Sequence, residues 1–385
     1  MAEYLYVGSF NPKGEAGYRI YRWDGEARTG ELTGEALLEI TAGVTCFDEK
    51  KGVLYFTDER KGNPDFKYGG GGRVFAVNVS PEDGSLTVLN SNYSYGALPS
   101  YVAADDQGKY LVLTNFGPNK KPEPITTLAK DESGAWRIQV QVDTASTVLL
   151  RRNEDGSVGQ VCDIVVHSSE GTANNLRAAH AHSVVASPDK KLFAVCEMGT
   201  DRIYLFAIDV ERDKLVLPSG APYVCEKGTG PRYSAFHPTK PFFFINYEDA
   251  PLVSSFRYDE VGRLELINTI RVLPEGEEAS PKDLQSGLTI SADGRFLYTL
   301  MRGRNILAVF VVDQNSGKLS LLQRLQLDGD RPKDCSLSPD GRTLAVADRG
   351  SDMVELLAVA PDGTLKQTGN TLPQKAAGHV RFLSF

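Results

Sequence analysis

One pattern recurs along the whole chain: a short β-rich run, a tight turn, and a second apolar run that ends in polar residues. The second runs are YLYVGSF (4–10), VLYFTDE (53–59), YLVLTNF (110–116), LFAVCEM (192–198), FFFINYE (242–248), FLYTLMR (296–302) and TLAVADR (343–349). Their starts lie 49, 57, 82, 50, 54 and 47 residues apart. Polar turns such as SPDKK (187–191), SADGR (291–295) and SPDGR (338–342) precede most of them, and a third run such as RIYLFAID (202–209) or ILAVFVVD (306–313) follows. A Gly turn and a fourth run, as in SGKLSLLQ (316–323), close the unit. Four short strands in a repeat of about 40–55 residues make a propeller blade. No helical periodicity of useful length competes. Seven copies therefore predict an all-β, seven-bladed β-propeller as one domain over residues 1–385, overriding the two or three domains that 385 residues would otherwise suggest.

The first runs read VTCFDEK (44–50), SYVAADD (100–106), SVVASPD (183–189), YSAFHP (233–238), LTISAD (288–293) and CSLSPD (335–340), six copies for seven blades. The chain begins directly with a second run, and GHVRFLSF (378–385) supplies the missing first one. The C-terminal strand is thus expected to pair into the N-terminal blade and close the ring, leaving no open edge. Two segments exceed the repeat, at about 60–72 and about 118–146. Both follow second strands, so both are expected on the face that carries the site, although surface loops tolerate insertions anywhere.

Fifty acidic against 42 basic residues give a net charge of -8, which argues against a nucleic-acid partner. It leaves room for a small anionic ligand held by a few local arginines. The five cysteines are widely spaced with no Cys-x-x-Cys, so neither a zinc site nor a disulfide framework is indicated. No apolar run approaches the roughly 18 residues of a membrane helix, and the N-terminus lacks the pattern of a secretory signal. The expectation is a cytoplasmic protein without a membrane partner, a metal or a cofactor. Its oligomeric state is open.

Neighbouring strands of a blade run antiparallel, so the starts of the first strands and the ends of the second strands share one face. Second-strand ends place Asp58, Glu59, Asn115, Glu197, Glu248, Arg302, Asp348 and Arg349 there; first-strand starts add His180, His182, Arg232, Lys333 and His379. A carboxylate such as Glu248 can serve as general acid or base, or simply as a rim charge paired with an arginine. Arg232 and Arg302 can bind an anion and stabilise an oxyanion, or form ion pairs between blades. His180 and His182 alternate along a strand, so only one of them is expected to face the site, which also weakens any metal reading of the pair.

Three segments carry a family resemblance: AAHAHSVVASPDKKLFAVCEMGTDRIYLFAID (178–209), GTGPRYSAFHP (228–238) with Glu248 ten residues on, and SADGRFLYTLMRGRNILAVFVVD (291–313). They resemble the lactonase-type seven-bladed propellers, which include propeller 6-phosphogluconolactonases and fungal 3-carboxy-cis,cis-muconate lactonizing enzymes. The resemblance covers nearly the whole chain, and its most specific motif is Gly-Pro-Arg-[His/Tyr]-x-x-Phe-His-Pro. It implies a site of one His, two Arg and one Glu, falling on His182 (or His180), Arg232, Arg302 and Glu248. His167 and Arg177, in the segment leading into the histidine pair, and Lys333 are further substrate-binding candidates. The chain departs from the family at Tyr233 in place of His, at Tyr247-Glu248-Asp249 in place of Asn-Glu-Leu, and at Pro332-Lys333 in place of Pro-Arg. Lysine there offers a point charge and not a planar fork. The resemblance implies a cofactor-free hydrolase of an anionic sugar lactone, with Glu248 or His182 activating water. The alternatives are a muconate-type lactonizing cycloisomerase using the same residues and a non-catalytic interaction propeller.

Overall fold

The computed structural model describes residues 2–11, 17–62, 71–117, 124–142, 144–170 and 177–385. The described chain is built from strands, and no helix is long and apolar enough to cross a membrane. Among the described residues, seven sheets of four or five antiparallel strands follow one another along the chain, and a separate two-stranded hairpin interrupts the third. The fold is a seven-bladed β-propeller. Blade 1 takes Ala377–Ser384 as its first strand and Glu3–Ser9 as its second, so the C-terminal strand completes the N-terminal blade as expected. The first strands of blades 2 to 7 are Ala42–Asp48, Pro99–Ala104, Ala181–Ala186, Pro231–Phe236, Gln285–Ile290 and Pro332–Leu337.

The chain packs as two compact units. One comprises Met1–Ala42, Val79–Leu86 and Gly228–Phe385, and the other Gly43–Asn78 and Thr87–Lys227. Within each, burial follows strand position. Second strands such as Phe242–Tyr247, Phe296–Met301 and Thr343–Asp348 are buried at every residue, which is why they read as continuous apolar runs. Fourth strands such as Leu319–Gln326 alternate between half-buried and exposed, because one face meets solvent. In the first unit, Leu5, Val7 and Trp23 of blade 1 share a core with Ala345, Val354 and Leu356 of blade 7. In the second, Val53 and Val74 of blade 2 pack with Val102, Leu111 and Val148 of blade 3.

The recurrent Ser-x-Asp turns are self-bonded. The Ser338 hydroxyl donates to Asp340 at 2.6 Å and accepts the Thr343 N–H at 3.0 Å. Gly341 takes φ of 70°, where a side chain would be strained. The second insertion carries a hairpin of its own, Pro124–Lys130 paired with Trp136–Val142. Most of the 60–72 insertion, residues 63–70, lies outside the described residues.

Candidate active site

A single backbone device recurs at the start of the first strands. The register to the second strand slips by a residue at Pro99/Tyr101, Ala181/Ser183, Pro231/Tyr233 and Pro332/Asp334, and comparably between Gln285 and Leu288. The skipped residues are Ser100, His182, Arg232, Lys333 and the Ser286-Gly287 pair. A bulge re-aims the side chain it carries, and bulges collect beside active sites. Three of the site residues expected from the sequence occupy this one position.

A second position recurs opposite it. In six of the blades the residue after the second strand donates its N–H to the carbonyl just ahead of that blade's first strand. Phe116 bonds Leu98, Met198 bonds His180, Glu248 bonds Gly230, Arg302 bonds Leu284, Arg349 bonds Arg331 and Phe10 bonds Ala376, all at 2.7–3.3 Å. The fold thus offers two recurring addresses, and residue identity decides what each one does.

In the first unit these addresses assemble Arg232, Glu248 and Arg302. Glu248 spans the two guanidiniums: Arg232 Nε lies 2.8 Å from Oε2, and Arg302 Nη2 donates to Oε1. Arg232 and Glu248 are nearly buried, whereas the Arg302 side chain is 25% exposed and forms the open side of the cluster. Arg232 Nη1 also donates to the Gln285 carbonyl at 2.9 Å, and the Arg232 guanidinium lies over the Tyr233 ring at 4.9 Å. Burial, and then the charge of Arg232, lower the Arg302 pKa, while Glu248 opposes the shift. The carboxylate is thus shared between two guanidiniums on one backbone frame.

That frame depends on Gln285, which the sequence reading did not single out. Its amide donates to the carbonyls of Tyr247 at 3.0 Å, Ala250 at 2.8 Å and Leu252 at 2.6 Å, locking the chain on both sides of Glu248. Its own N–H donates to the Glu248 carbonyl at 3.2 Å. Gln285 is fully buried at the start of the strand QSGLTI, and no motif or charge marks it in the sequence. Further along the same unit, His379 Nδ1 meets Asp334 Oδ2 at 2.5 Å, and Lys333 Nζ stands 3.1 Å from the Phe10 ring centroid.

The second unit holds the other candidates. His182 lies on the bulge, 7% exposed, between Tyr101 at 5.8 Å and Phe116 at 5.9 Å, and its carbonyl accepts the Ser100 hydroxyl at 2.6 Å. His180 stacks on the same Phe116 ring at 4.3 Å, with Nδ1 at 3.2 Å from the Phe116 carbonyl. Both rings therefore meet one side chain. His180 precedes the strand and His182 is the residue the bulge inserts, so the two do not occupy alternating positions of one regular strand. Arg177 pairs with Asp201. His167 is buried, 2.8 Å from the Thr147 hydroxyl and 4.7 Å from the Tyr204 ring, and burial lowers its pKa to about 4. Among the described residues, no group of three or more His, Cys, Asp or Glu side chains is arranged to hold a metal ion.

The model of the family described as "Lactonase, 7-bladed beta-propeller" matches residues 4–382. The chain is 24% identical over 343 residues to a 6-phosphogluconolactonase of Bacillus subtilis, covering 88% of this chain and 86% of that protein. It is 27% identical over 378 residues to an uncharacterized protein of Lactococcus lactis, covering 97% and 96%. Among solved structures it resembles a periplasmic gluconolactonase of Pseudomonas aeruginosa, with a TM-score of 0.83 at 24% identity over 100% of this chain and 99% of that one.

Proposed function

The chain belongs to the lactonase family of seven-bladed β-propellers, and on that premise we propose that it hydrolyses an anionic sugar lactone at Arg232, Glu248 and Arg302. The observation that carries this reading is the Glu248 carboxylate bridging two guanidiniums, one of them open to solvent. In the proposed reaction Glu248 takes a proton as water adds to the ring carbonyl. The oxygen of the tetrahedral intermediate gains negative charge beside Arg302 and Arg232, which donate to it. Collapse breaks the ring C–O bond, and the departing alkoxide recovers the proton from Glu248. Atoms balance with water as the sole co-reactant.

Glu248→Gln keeps the shape and removes the base. Its kcat on 6-phosphogluconolactone is expected to fall by about 10²–10⁴-fold with a smaller change in KM. Near-native turnover by a variant that melts like the parent would overturn the role. The resemblance also allows His182 as the base, and a larger kcat loss in His182→Gln than in Glu248→Gln would move the assignment there. Turnover of muconates and not of sugar lactones would favour the cycloisomerase; turnover of neither would favour a binding propeller.

Two sequence expectations stand as part of this proposal. The insertion hairpin Pro124–Lys130 and Trp136–Val142 sets substrate choice, so replacing it with a short Gly-Ser linker is expected to change KM or the ranking of lactones. Unchanged kinetics on every substrate would remove it from the site. The protein acts in the cytoplasm, which cell fractionation tests.

A further inference from the structure

Three polar side chains of blades 5 and 6 are fully buried: Asn246, Gln285 and Thr299. Asn246 lies on the second strand of blade 5, two residues before Glu248, and Thr299 on that of blade 6, three residues before Arg302. They form one hydrogen-bonded chain. Asn246 Oδ1 accepts the Tyr233 N–H at 3.0 Å, next to Arg232. Asn246 Nδ2 donates to the Ser286 carbonyl and, at 2.9 Å, to the Thr299 hydroxyl. That hydroxyl donates in turn to Gln285 Oε1 at 3.3 Å. The Gln285 amide nitrogen then holds the carbonyls of Tyr247, Ala250 and Leu252 around Glu248. The Gln285 carbonyl, for its part, accepts Arg232 Nη1 at 2.9 Å and Arg302 Nη2 at 3.4 Å.

Thr299 is the joint of this chain. It accepts from one amide and donates to the other, which a hydroxyl can do at once and neither half of an amide can. Burying three polar side chains costs free energy that only complete pairing offsets. Apolar residues fill such space without that cost, but apolar cores tolerate repacking, whereas directional bonds hold one geometry. The geometry held here is that of the backbone beside Arg232, Glu248 and Arg302 together. A misplacement of about 1 Å at a reacting group costs on the order of 10²-fold in rate.

We propose that Thr299, bridging Asn246 and Gln285, is a positioning residue that sets the Glu248 carboxylate between the Arg232 and Arg302 guanidiniums. Its effect on rate rests on the lactonase reading, while its effect on geometry is measured without turnover.

The test compares Thr299→Val, which keeps the shape and removes the bridge, with Thr299→Ser, which keeps the hydroxyl. Thr299→Ala takes the place of Thr299→Val in each measurement if the latter does not fold. In crystal structures of the full chain, Thr299→Val is expected to displace the Glu248 carboxylate from the two guanidiniums by about 0.5 Å or more, and Thr299→Ser to leave it in place. Thr299→Val is expected to lower kcat on 6-phosphogluconolactone by about tenfold or more, with a smaller change in KM, and Thr299→Ser to restore most of the rate. In a Glu248→Gln background the same substitution is expected to cost nothing further, because the two residues act as a unit. A purely structural role would lower the residual turnover equally in both backgrounds. That result, or an unmoved carboxylate in Thr299→Val, overturns the positioning role and leaves the lactonase reading standing. A displaced carboxylate in a protein whose parent hydrolyses no sugar lactone upholds the positioning role and overturns the lactonase reading.

Discussion

Removing residues 379–385 is expected to lower the melting temperature by about 10 °C or more, or to leave the chain insoluble. The strand Ala377–Ser384 pairs along the whole of Glu3–Ser9, from Glu3 opposite Ser384 to Ser9 opposite Ala377. It buries Val380, Phe382 and Leu383, and Phe382 packs edge-on against Trp23 at 5.0 Å. At about 1.5–3 kcal/mol per buried apolar side chain, these three alone contribute roughly 5 kcal/mol or more. A domain is stable by only about 5–15 kcal/mol in total. The deletion also removes the His379–Asp334 contact and exposes an apolar strand edge that invites aggregation. The single domain expected from the repeat adds a second readout. Differential scanning calorimetry of the intact chain should give one transition; two would mean that the compact units unfold separately. A truncated protein melting within a degree or two of the parent would show that closure contributes little.

How far the sequence reveals such features depends on whether a feature leaves a period behind. Blade number does, because strands such as FFFINY and TLAVAD are buried on both faces and bounded by Asp- and Gly-containing turns. The missing first run at the N-terminus and the surplus GHVRFLSF fix closure by the same logic. The bulge leaves no such mark, because first strands such as Pro99–Ala104 and Pro231–Phe236 are buried almost throughout and show no alternation for an added residue to break. His180 and His182 therefore look like residues on opposite faces while both rings rest on Phe116. Arg232 and Lys333 are visible as charges after proline, but their shared address becomes apparent only from the register. Gln285 is hidden for another reason: its three acceptors lie more than thirty residues upstream, in blade 5. The 118–146 surplus is legible as an insertion, whereas the hairpin inside it was not singled out.

Asp348 and Glu197 both end second strands, and their sequences give no hint of how differently they are treated. Glu197 accepts the N–H groups of His180, Gly199 and Thr200 and the Thr200 hydroxyl. In blade 7 the corresponding hydroxyl, on Ser351, instead accepts the Asp330 N–H, and neither Asp348 carboxylate oxygen has a hydrogen-bond partner. Asp348 is fully buried, with Glu355 on the next strand and Asp330 and Asp328 in the loop above it; Arg331 lies 3.9 Å from Asp330. Burial first, then these three acids, push its pKa up to about 8, and burial raises Glu355 as well. The folded state therefore holds a proton that the unfolded state releases near pH 4. Between pH 4 and 8 the unfolded chain binds fewer protons, so stability falls as pH rises, at up to about 1.4 kcal/mol per pH unit. Asp348→Asn removes the titration and supplies an amide donor toward the surrounding acids. The variant is expected to match the parent near pH 4 and to exceed it by a few kcal/mol at pH 8, read as a gap in melting temperature that widens steadily with pH. Parallel pH profiles for the two proteins would show that Asp348 is ionised in the fold and has found a donor.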